Sequence, residues 1–263
     1  MMTPTSSARG VRIREMRARC QATAPAPERE TFTGKRARFF SIYFTKLFLF
    51  TTITPNQITV LSVSVFFVGL GLFLTQSLSL SVAGAVLVFF ATVLDGCDGE
   101  VARFRQTRNP AGALYVEPVS HDIQYGLMFL PLGIAAAVQT GSWVPLSFAF
   151  LAGASKLMTR LLENRWWFMT RPAISQEEIR DLRQSYLQRS PLRRLVSWTK
   201  RNLFTSNGLI APLLLAAATN RLEWYLYFYG VTFPLLWVLV FIRQTHALGT
   251  VQVGGAAEKG ASE

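Results

Sequence analysis

The residues best suited to catalysis or metal binding are five acids beside two apolar segments: Asp95, Asp98, Glu100, Glu117 and Asp122. Ionisable groups at the membrane end of apolar helices are costly, which makes them candidates for function. Asp95 and Asp98 are three residues apart, and Glu117 and His121 are four apart, so each pair shares one face of a helix. Two antiparallel helices would bring these four side chains together. For Glu100 and Asp122, the alternative that they only terminate membrane spans stays open.

Clustered carboxylates repel one another, and a divalent cation removes that repulsion. Oxygen ligands suit Mg²⁺ or Mn²⁺ rather than zinc, and carboxylate-held metals are suited to binding a phosphate or pyrophosphate. Gly99 and Ala102 give the same helix a small-residue patch that a ligand can approach. Arg103 and Arg105 follow, and arginine pairs well with phosphate oxygens. The segment therefore predicts a phosphate-binding site.

The composition indicates that most of this chain is solvated by lipid. Half of its 263 residues are apolar, only 16% are charged, and the mean hydropathy is +0.27. An ordinary soluble domain carries about 25% charged residues, so a soluble globular protein and a disordered one are both excluded. The two cysteines, Cys20 and Cys97, are too few for a disulfide framework and lack the spacing of a zinc site.

Six apolar segments of roughly membrane-spanning length follow one another between polar breaks. They cover residues 57–75, 79–95, 123–138, 143–161, 206–219 and 223–242. The predicted fold is an all-α polytopic membrane protein, a bundle of six transmembrane helices. The fifth segment is the weakest, because it is short and contains Pro212.

The distribution of positive charge predicts the orientation of the bundle. With six spans, every Lys and Arg except Arg221 lies on one side, and such residues concentrate on the cytoplasmic side of membranes. Both termini and the acidic cluster are therefore predicted to face the cytosol, in a bacterial cytoplasmic membrane. The net charge of +12 then reflects topology and attraction to anionic lipid, and no nucleic-acid partner is expected.

The sequence divides into three parts. Residues 1–34 are predicted to form a disordered basic cytosolic tail, residues 35–245 a membrane domain, and residues 246–263 a flexible tail. Within the first tail, residues 10–20 are predicted as a short basic helix on the membrane surface. Within the membrane domain, residues 35–52 mix basic and aromatic side chains, which predicts an interfacial amphipathic helix. Residues 162–205 form the longest cytosolic loop, in which Ser175 is predicted to cap a helix.

The stretch Asp95-Gly-Cys-Asp98-Gly99-Glu-Val-Ala102-Arg103 resembles the first half of the signature of the class I CDP-alcohol phosphotransferases (CDP-alcohol phosphatidyltransferases). Thr54-Pro55-Asn56 also resembles the entry to that family's first helix, and the resemblance covers about residues 35–245. It implies a six-helix membrane enzyme, usually a homodimer. Such an enzyme moves a substituted phosphoryl group from a CDP-alcohol, such as CDP-diacylglycerol, to an alcohol acceptor in phospholipid biosynthesis and releases CMP.

The second half of the signature departs from the family pattern. Gly112 matches, but the third and fourth aspartates would fall on Val116 and Ser120, which cannot serve. A shift by one residue reaches Glu117 and His121 with their mutual spacing intact. The shift implies an insertion of one residue somewhere within 104–116.

The resemblance implies a role for each matching position. Asp95, Asp98 and Glu117 hold Mg²⁺ (or Mn²⁺) against the donor pyrophosphate. The CDP site is lined by Asn56, Gly99, Ala102 and Arg103. His121 takes the proton of the acceptor hydroxyl, for which an imidazole with an ordinary pKa near 6.5 is suited. Asp122 is the alternative base.

Two other functions remain compatible with the sequence. A transporter also carries acids in its helices, but it would place some near the midplane of the membrane. A catalytically impaired member of the family, acting as a membrane scaffold, would explain the altered second half. The pattern leaves open which alcohol is the acceptor, and whether the donor carries diacylglycerol or a small alcohol.

Overall fold

The computed structural model describes residues 11–21, 30–107, 112–170 and 191–260, and all regular structure within these ranges is helical. The helices are α1 (Ile13–Cys20), α2 (Phe32–Phe48), α3 (Pro55–Leu72), α4 (Leu78–Arg105), α5 (Glu117–Leu127), α6 (Phe129–Thr140), α7 (Val144–Thr170), α8 (Pro191–Phe204), α9 (Ile210–Ala218) and α10 (Leu222–Gly260). The predicted helix start at Ser175 lies outside the described residues.

Local sequence sets the start of α3. The Thr54 side chain accepts from the backbone N–H of Gln57, and the Gln57 side chain accepts from the backbone N–H of Thr54. This capping box satisfies two N–H groups that a helix start leaves without partners. Pro55 occupies the first turn, where its missing N–H costs nothing.

Two glycines allow α3 and α4 to pack closely as a hairpin. A Cβ added to Gly69 would lie 2.7 Å from the carbonyl oxygen of Gly84, so the backbones touch where a larger residue would separate them. We call the end of the bundle that carries Asp95 and Asp98 the polar end. Nearer this end, the Ser62 hydroxyl donates to the carbonyl of Ala91 at 2.9 Å. The close contact fixes the second half of α4 against α3.

Helix α4 is the central element of the polar end, since it contacts α1, α2, α3 and α9, while α7 packs against α5, α6 and α10. The largest apolar cluster joins these helices around Phe66, Phe129 and Tyr229. Between α5 and α6 the helix is interrupted at Met128. Pro131 explains the interruption, because it donates no hydrogen bond and clashes with the carbonyl four residues earlier.

Four stretches are long and apolar enough to cross a membrane, and they contain four of the six predicted spans. They are Pro55–Thr75, Leu78–Arg105, Glu117–Thr140 and Leu222–Ala247. The fourth predicted span lies in α7, which is long but carries several charged residues. The fifth falls on a short apolar helix, Ser206–Ala218. The six-span count therefore stays a prediction.

Within the predicted N-terminal tail, residues 13–20 form a short helix that packing holds in place. They form α1, and Met16 and Cys20, one turn apart, are fully buried against α2 and α4. Burial of these two side chains offsets the entropy of ordering a segment that composition alone marks as disordered. Helix α10 continues to Gly260, and the flexibility of the C-terminal tail stays a prediction.

Helix α2 covers Phe32–Phe48, where an interfacial helix was predicted over residues 35–52. Thr31 caps it by accepting from the N–H of Gly34 at 2.9 Å. Phe39, Phe40 and Tyr43 are exposed on one side of the helix, as an interfacial helix requires. Its position in a membrane stays a prediction.

Labelling of single cysteines tests the six-span prediction. We expect Ser142→Cys and Asn220→Cys to react with a membrane-impermeant maleimide in intact cells. We expect Thr107→Cys and Leu195→Cys to react only after permeabilisation, because Lys and Arg mark their side as cytosolic. The native cysteines are buried and give the background rate.

Two results would contradict this topology. If α7 does not cross the membrane, Leu195→Cys reacts in intact cells. If α7 crosses but the short α9 does not, Asn220→Cys is protected until the cells are permeabilised.

Candidate active site

A cavity of about 450 Å³ opens at the end of the bundle where α4 ends and α5 begins. Helix α2 and the segment after α8 form its other walls. Six of the predicted site residues line this cavity: Asp95, Asp98, Gly99, Arg103, Glu117 and His121. The α4 and α5 pairs are therefore brought together as the spacing predicted.

Asp98 is the most enclosed acid of the group, at 7% exposed. The hydroxyl of Thr59, on α3, donates to one of its oxygens at 2.5 Å, and the backbone N–H of Gly99 donates to the other. Hydrogen bonds of this kind stabilise a buried carboxylate. The α3–α4 hairpin thus holds Asp98 in a fixed orientation.

His121 and Asp95 connect the two helices directly. The Nε2 atom of His121 lies 3.1 Å from both carboxylate oxygens of Asp95. Tyr125, one turn further along α5, packs edge-on against the imidazole, with ring centroids 6.1 Å apart, and also against Phe66 of α3. These contacts orient the imidazole toward the acids of α4.

A π-helical turn, Gly112–Val116, leads directly into α5 at Glu117. A π-helical turn holds an extra residue compared with an α-helical one, and such turns are frequent at functional sites. The turn can therefore accommodate the extra residue that the one-residue shift from the family pattern implies. Pro118 lies in the first turn of α5 and so interrupts no hydrogen bond of the helix.

Asp122 faces away from the cavity. Its carboxylate accepts from Nε of Arg160, on α7, at 2.7 Å, and it is not among the residues that line the cavity. A single residue turns a helical side chain by about 100°, which separates Asp122 from its neighbour His121. Of these two residues, His121 lines the cavity and Asp122 does not.

Glu100 lies at the wall of the cavity and connects three segments of the fold. The residue is 2% exposed, and its carboxylate accepts from three side chains. The donors are Ser41 at 2.7 Å and Thr45 at 2.6 Å, both on α2, and Gln21 at 2.7 Å, at the end of α1. Glu100 therefore ties α1 and α2 to α4.

The two arginines of the motif differ in position. Arg103 lines the cavity, and its Nε donates to the backbone carbonyl of Cys20. Arg105 was expected to meet phosphate, and that expectation is wrong. Its guanidinium donates instead to three backbone carbonyls, one at the end of α2 and two in the α2–α3 connection. Those carbonyls belong to Phe48, Thr51 and Ile53.

Two residues of the predicted CDP site do not line the cavity. Asn56 lies in the first turn of α3, and Ala102 lies near the end of α4, where its carbonyl accepts from Thr107. Both belong to helices that build the site, but neither contacts the space between the acids.

Sequence reasoning missed the wall that α2 contributes. Small and hydroxyl side chains recur on it at helical spacing, which was the available signal: Gly34, Ala37, Ser41 and Thr45. The first three line the cavity. The end of α8 adds Arg201, and the segment after it adds Thr205, Ser206 and Asn207. No spacing pattern in the sequence marks these residues.

The donor chemistry of the cavity fits a hard divalent cation, because Asp95, Asp98 and Glu117 all present carboxylates to it. Within the described residues, however, no group of three acid, histidine or cysteine side chains has the spacing of a complete metal site. The oxygens of Asp95 contact His121, and those of Asp98 accept from Thr59 and Gly99. A carboxylate oxygen that accepts one hydrogen bond keeps a further lone pair, so these contacts remain compatible with a cation.

The described residues thus form apolar helices of membrane-spanning length, with an acidic cavity at one end of the bundle. The sequence model of the CDP-alcohol phosphatidyltransferases matches residues 52–233, more than half of the chain. The chain belongs to this family, and it is an integral membrane protein. The family resemblance predicted from the α4 motif is thereby confirmed.

One curated relative is similar over a shorter stretch. It is the bifunctional IPC transferase and DIPP synthase of Rubrobacter xylanophilus, which is 31% identical over 116 residues. The aligned stretch is 44% of this chain but only 25% of the relative. The chain thus spans about a quarter of that protein's length.

Arg105→Ala tests the structural role of this arginine. We expect the free energy of unfolding to fall by about 2 kcal/mol, because three carbonyls lose a charged donor. Thermal unfolding in detergent micelles measures the change. Arg243→Ala, at an exposed position of α10, is the matched control and should change stability by less than about 0.5 kcal/mol. Equal losses in the two variants would contradict the role.

Proposed function

We propose that this chain is a metal-dependent CDP-alcohol phosphotransferase, which moves a substituted phosphoryl group from a CDP-alcohol to an alcohol and releases CMP. The observation that carries the proposal is the convergence of Asp95, Asp98, Glu117 and His121 on one cavity. Membership of the family supports the reaction type. The relative's printed name, a transferase and synthase, is consistent with group transfer.

The donor site is built on Gly99 and Arg103. The guanidinium of Arg103 lies across Gly99, so that a Cβ added there would stand 3.1 Å from Nη1. Glycine therefore leaves the space that the arginine occupies. The guanidinium is a planar set of N–H donors suited to phosphate oxygens, and we assign it to the donor pyrophosphate.

Asp95, Asp98 and Glu117 are the proposed ligands of Mg²⁺ (or Mn²⁺), since carboxylate oxygens are preferred by these ions. When bound, the ion neutralises the charge on the pyrophosphate and on the leaving CMP. Thr59 holds Asp98 in place for this role. Positioning and charge stabilisation account for the rate, as in other phosphoryl transfers.

His121 is the proposed general base. Its imidazole accepts the proton of the acceptor hydroxyl, whose oxygen then attacks the β-phosphorus of the donor. The contact with Asp95 orients the ring and stabilises the imidazolium that forms. The π-helical turn and the packing of Tyr125 place the ring over the acids.

The proposal also includes the membrane orientation, the oligomeric state and the donor that the sequence predicts. The site and both termini face the cytosol of a bacterial cytoplasmic membrane, and the working form is a homodimer. The donor is CDP-diacylglycerol or a small CDP-alcohol. The scaffold alternative rests on one observation, the replacement of two family aspartates by Glu117 and His121.

Carboxylate-to-amide variants test the metal site. We expect Asp95→Asn and Asp98→Asn to abolish Mg²⁺-dependent CMP release, because each keeps the side-chain shape but removes the charge that holds the ion. Glu163→Gln, at an exposed position of α7, is the control and should retain activity. CMP release is measured as a function of Mg²⁺ concentration in detergent micelles. Near-normal turnover in either aspartate variant would remove the proposed metal site.

A second pair of variants tests the base. We expect His121→Ala to lower kcat on the order of a hundredfold or more, as for loss of a general base. Asp122→Asn should cost much less, because Asp122 faces Arg160. The rate with the original protein should fall as the pH drops through the pKa of the base, since a protonated imidazole accepts no proton. That acid limb should vanish in His121→Ala.

The outcomes separate the hypotheses. An inactive Asp122→Asn with an active His121→Ala would reverse the assignment of the base. If no CDP-alcohol is turned over with Mg²⁺ and several acceptors, the enzyme proposal fails and the scaffold alternative is favoured.

A further inference from the structure

Helix α1 and the residue after it, Gln21, contact the candidate site from outside the segment that the family model matches, which begins at residue 52. We propose that α1 is a positioning element of the donor site, whose docking onto α4 fixes Arg103 for the phosphate oxygens of a CDP-linked ligand. The inference rests on the proposed function. It concerns the arginine rather than the metal ligands or the base.

Apolar burial docks α1. Met16 and Cys20 are fully buried and share a cluster with Ile42 of α2 and with Cys97 and Val101 of α4. An isolated helix of eight residues is too short to be stable in water. Helix α1 therefore forms because its apolar face is docked, and loss of that contact releases it.

Polar contacts fix the end of α1 in register with α4. The amide of Gln21 donates to Glu100 at 2.7 Å and to the backbone carbonyl of Arg38 at 3.0 Å. The guanidinium of Arg17 lies over the ring of Phe39, 4.9 Å from its centroid. The last residues of α1 are thus held by groups from both α2 and α4.

This fixed end provides the contact to Arg103. The Nε of Arg103 donates to the carbonyl of Cys20, the last residue of α1, while the Nη atoms of Arg103 lie over Gly99 at the cavity. A guanidinium carries five N–H donors, so a bond at Nε leaves the Nη groups available for a ligand. An arginine that is already held in one conformation loses less freedom when it binds phosphate. Docking of α1 therefore strengthens nucleotide binding through Arg103.

Two substitutions on α1 distinguish the effect of releasing the helix from the effect of adding a negative charge. Met16→Asp places a carboxylate in the buried cluster, whereas Ala18→Asp places the same group at an exposed position of the same helix. The probe is CDP with Mg²⁺, and its Kd is measured by calorimetry on the full chain in detergent micelles. We expect Met16→Asp to weaken CDP binding about tenfold. Ala18→Asp should leave the Kd within about twofold.

A double-mutant cycle tests whether the effect passes through Arg103. Contacts that act through a shared partner are not additive. In an Arg103→Ala background, Met16→Asp should therefore weaken CDP binding no further. If α1 were only a structural brace, the two losses would add.

The thiol of Cys20 reports whether α1 is docked. Burial, and then the negative charge of Glu100, raise the pKa of this thiol to about 11, so it reacts slowly with maleimide while α1 is docked. Its labelling should accelerate in Met16→Asp but not in Ala18→Asp. Gln21→Glu, which sets a second carboxylate against Glu100, is an independent way to release the helix if Met16→Asp does not fold.

Three results would overturn the inference. They are faster labelling with an unchanged Kd, additive losses in the cycle, and tighter CDP binding after release, which would mean that α1 obstructs the site. Absence of CDP binding by the original protein would overturn it as well. CDP binding without CMP release contradicts the proposed activity alone and leaves the positioning role standing.

Discussion

The buried carboxylate of Glu100 is the constraint on which the polar end of this protein depends. A charge removed from water is costly unless hydrogen bonds replace its hydration. Here three donors do so, and they come from two separate helices. Because Ser41, Thr45 and Gln21 must all converge on it, α1 and α2 can take only one position on α4. The cavity wall formed by α2 and the contact from α1 to Arg103 both follow from that position.

The register of α5 is the second constraint. The acids of α4 are useful to a ligand only if the partner residues of α5 face them, and a one-residue error would turn His121 away. The π-helical turn Gly112–Val116 absorbs the extra residue before the helix begins. Asp122, the next residue, then pairs with Arg160 on α7. The same turn of helix thus supplies one group to the cavity and one to the packing of the bundle.

The sequence predicted the features that depend on local spacing and missed those that depend on distant partners. Apolar length predicted helices α3 and α4, and the spacing of Asp95, Asp98, Glu117 and His121 predicted their shared cavity. The role of Arg105 was wrong because its acceptors lie in the α2–α3 connection, about 50 residues away. Helix α1 was predicted only as a short basic helix on the membrane surface. Its docking onto α2 and α4 was missed because it depends on two buried side chains, which composition averages cannot detect.

The acids of the cavity lower the stability of the folded protein when no cation neutralises them. Asp95, Asp98 and Glu117 face one another, and like charges at close range destabilise the fold that holds them. Gly99 adds a further cost of about 1 kcal/mol relative to alanine within α4, and the space it leaves is filled by Arg103. The apolar packing of α3 to α10 offsets these costs. In the proposed function, a cation that binds only the folded state would relieve the repulsion directly, and linkage would turn its binding energy into stability. The site is therefore expected to be the least stable part of the polar end when empty and a source of stability when filled.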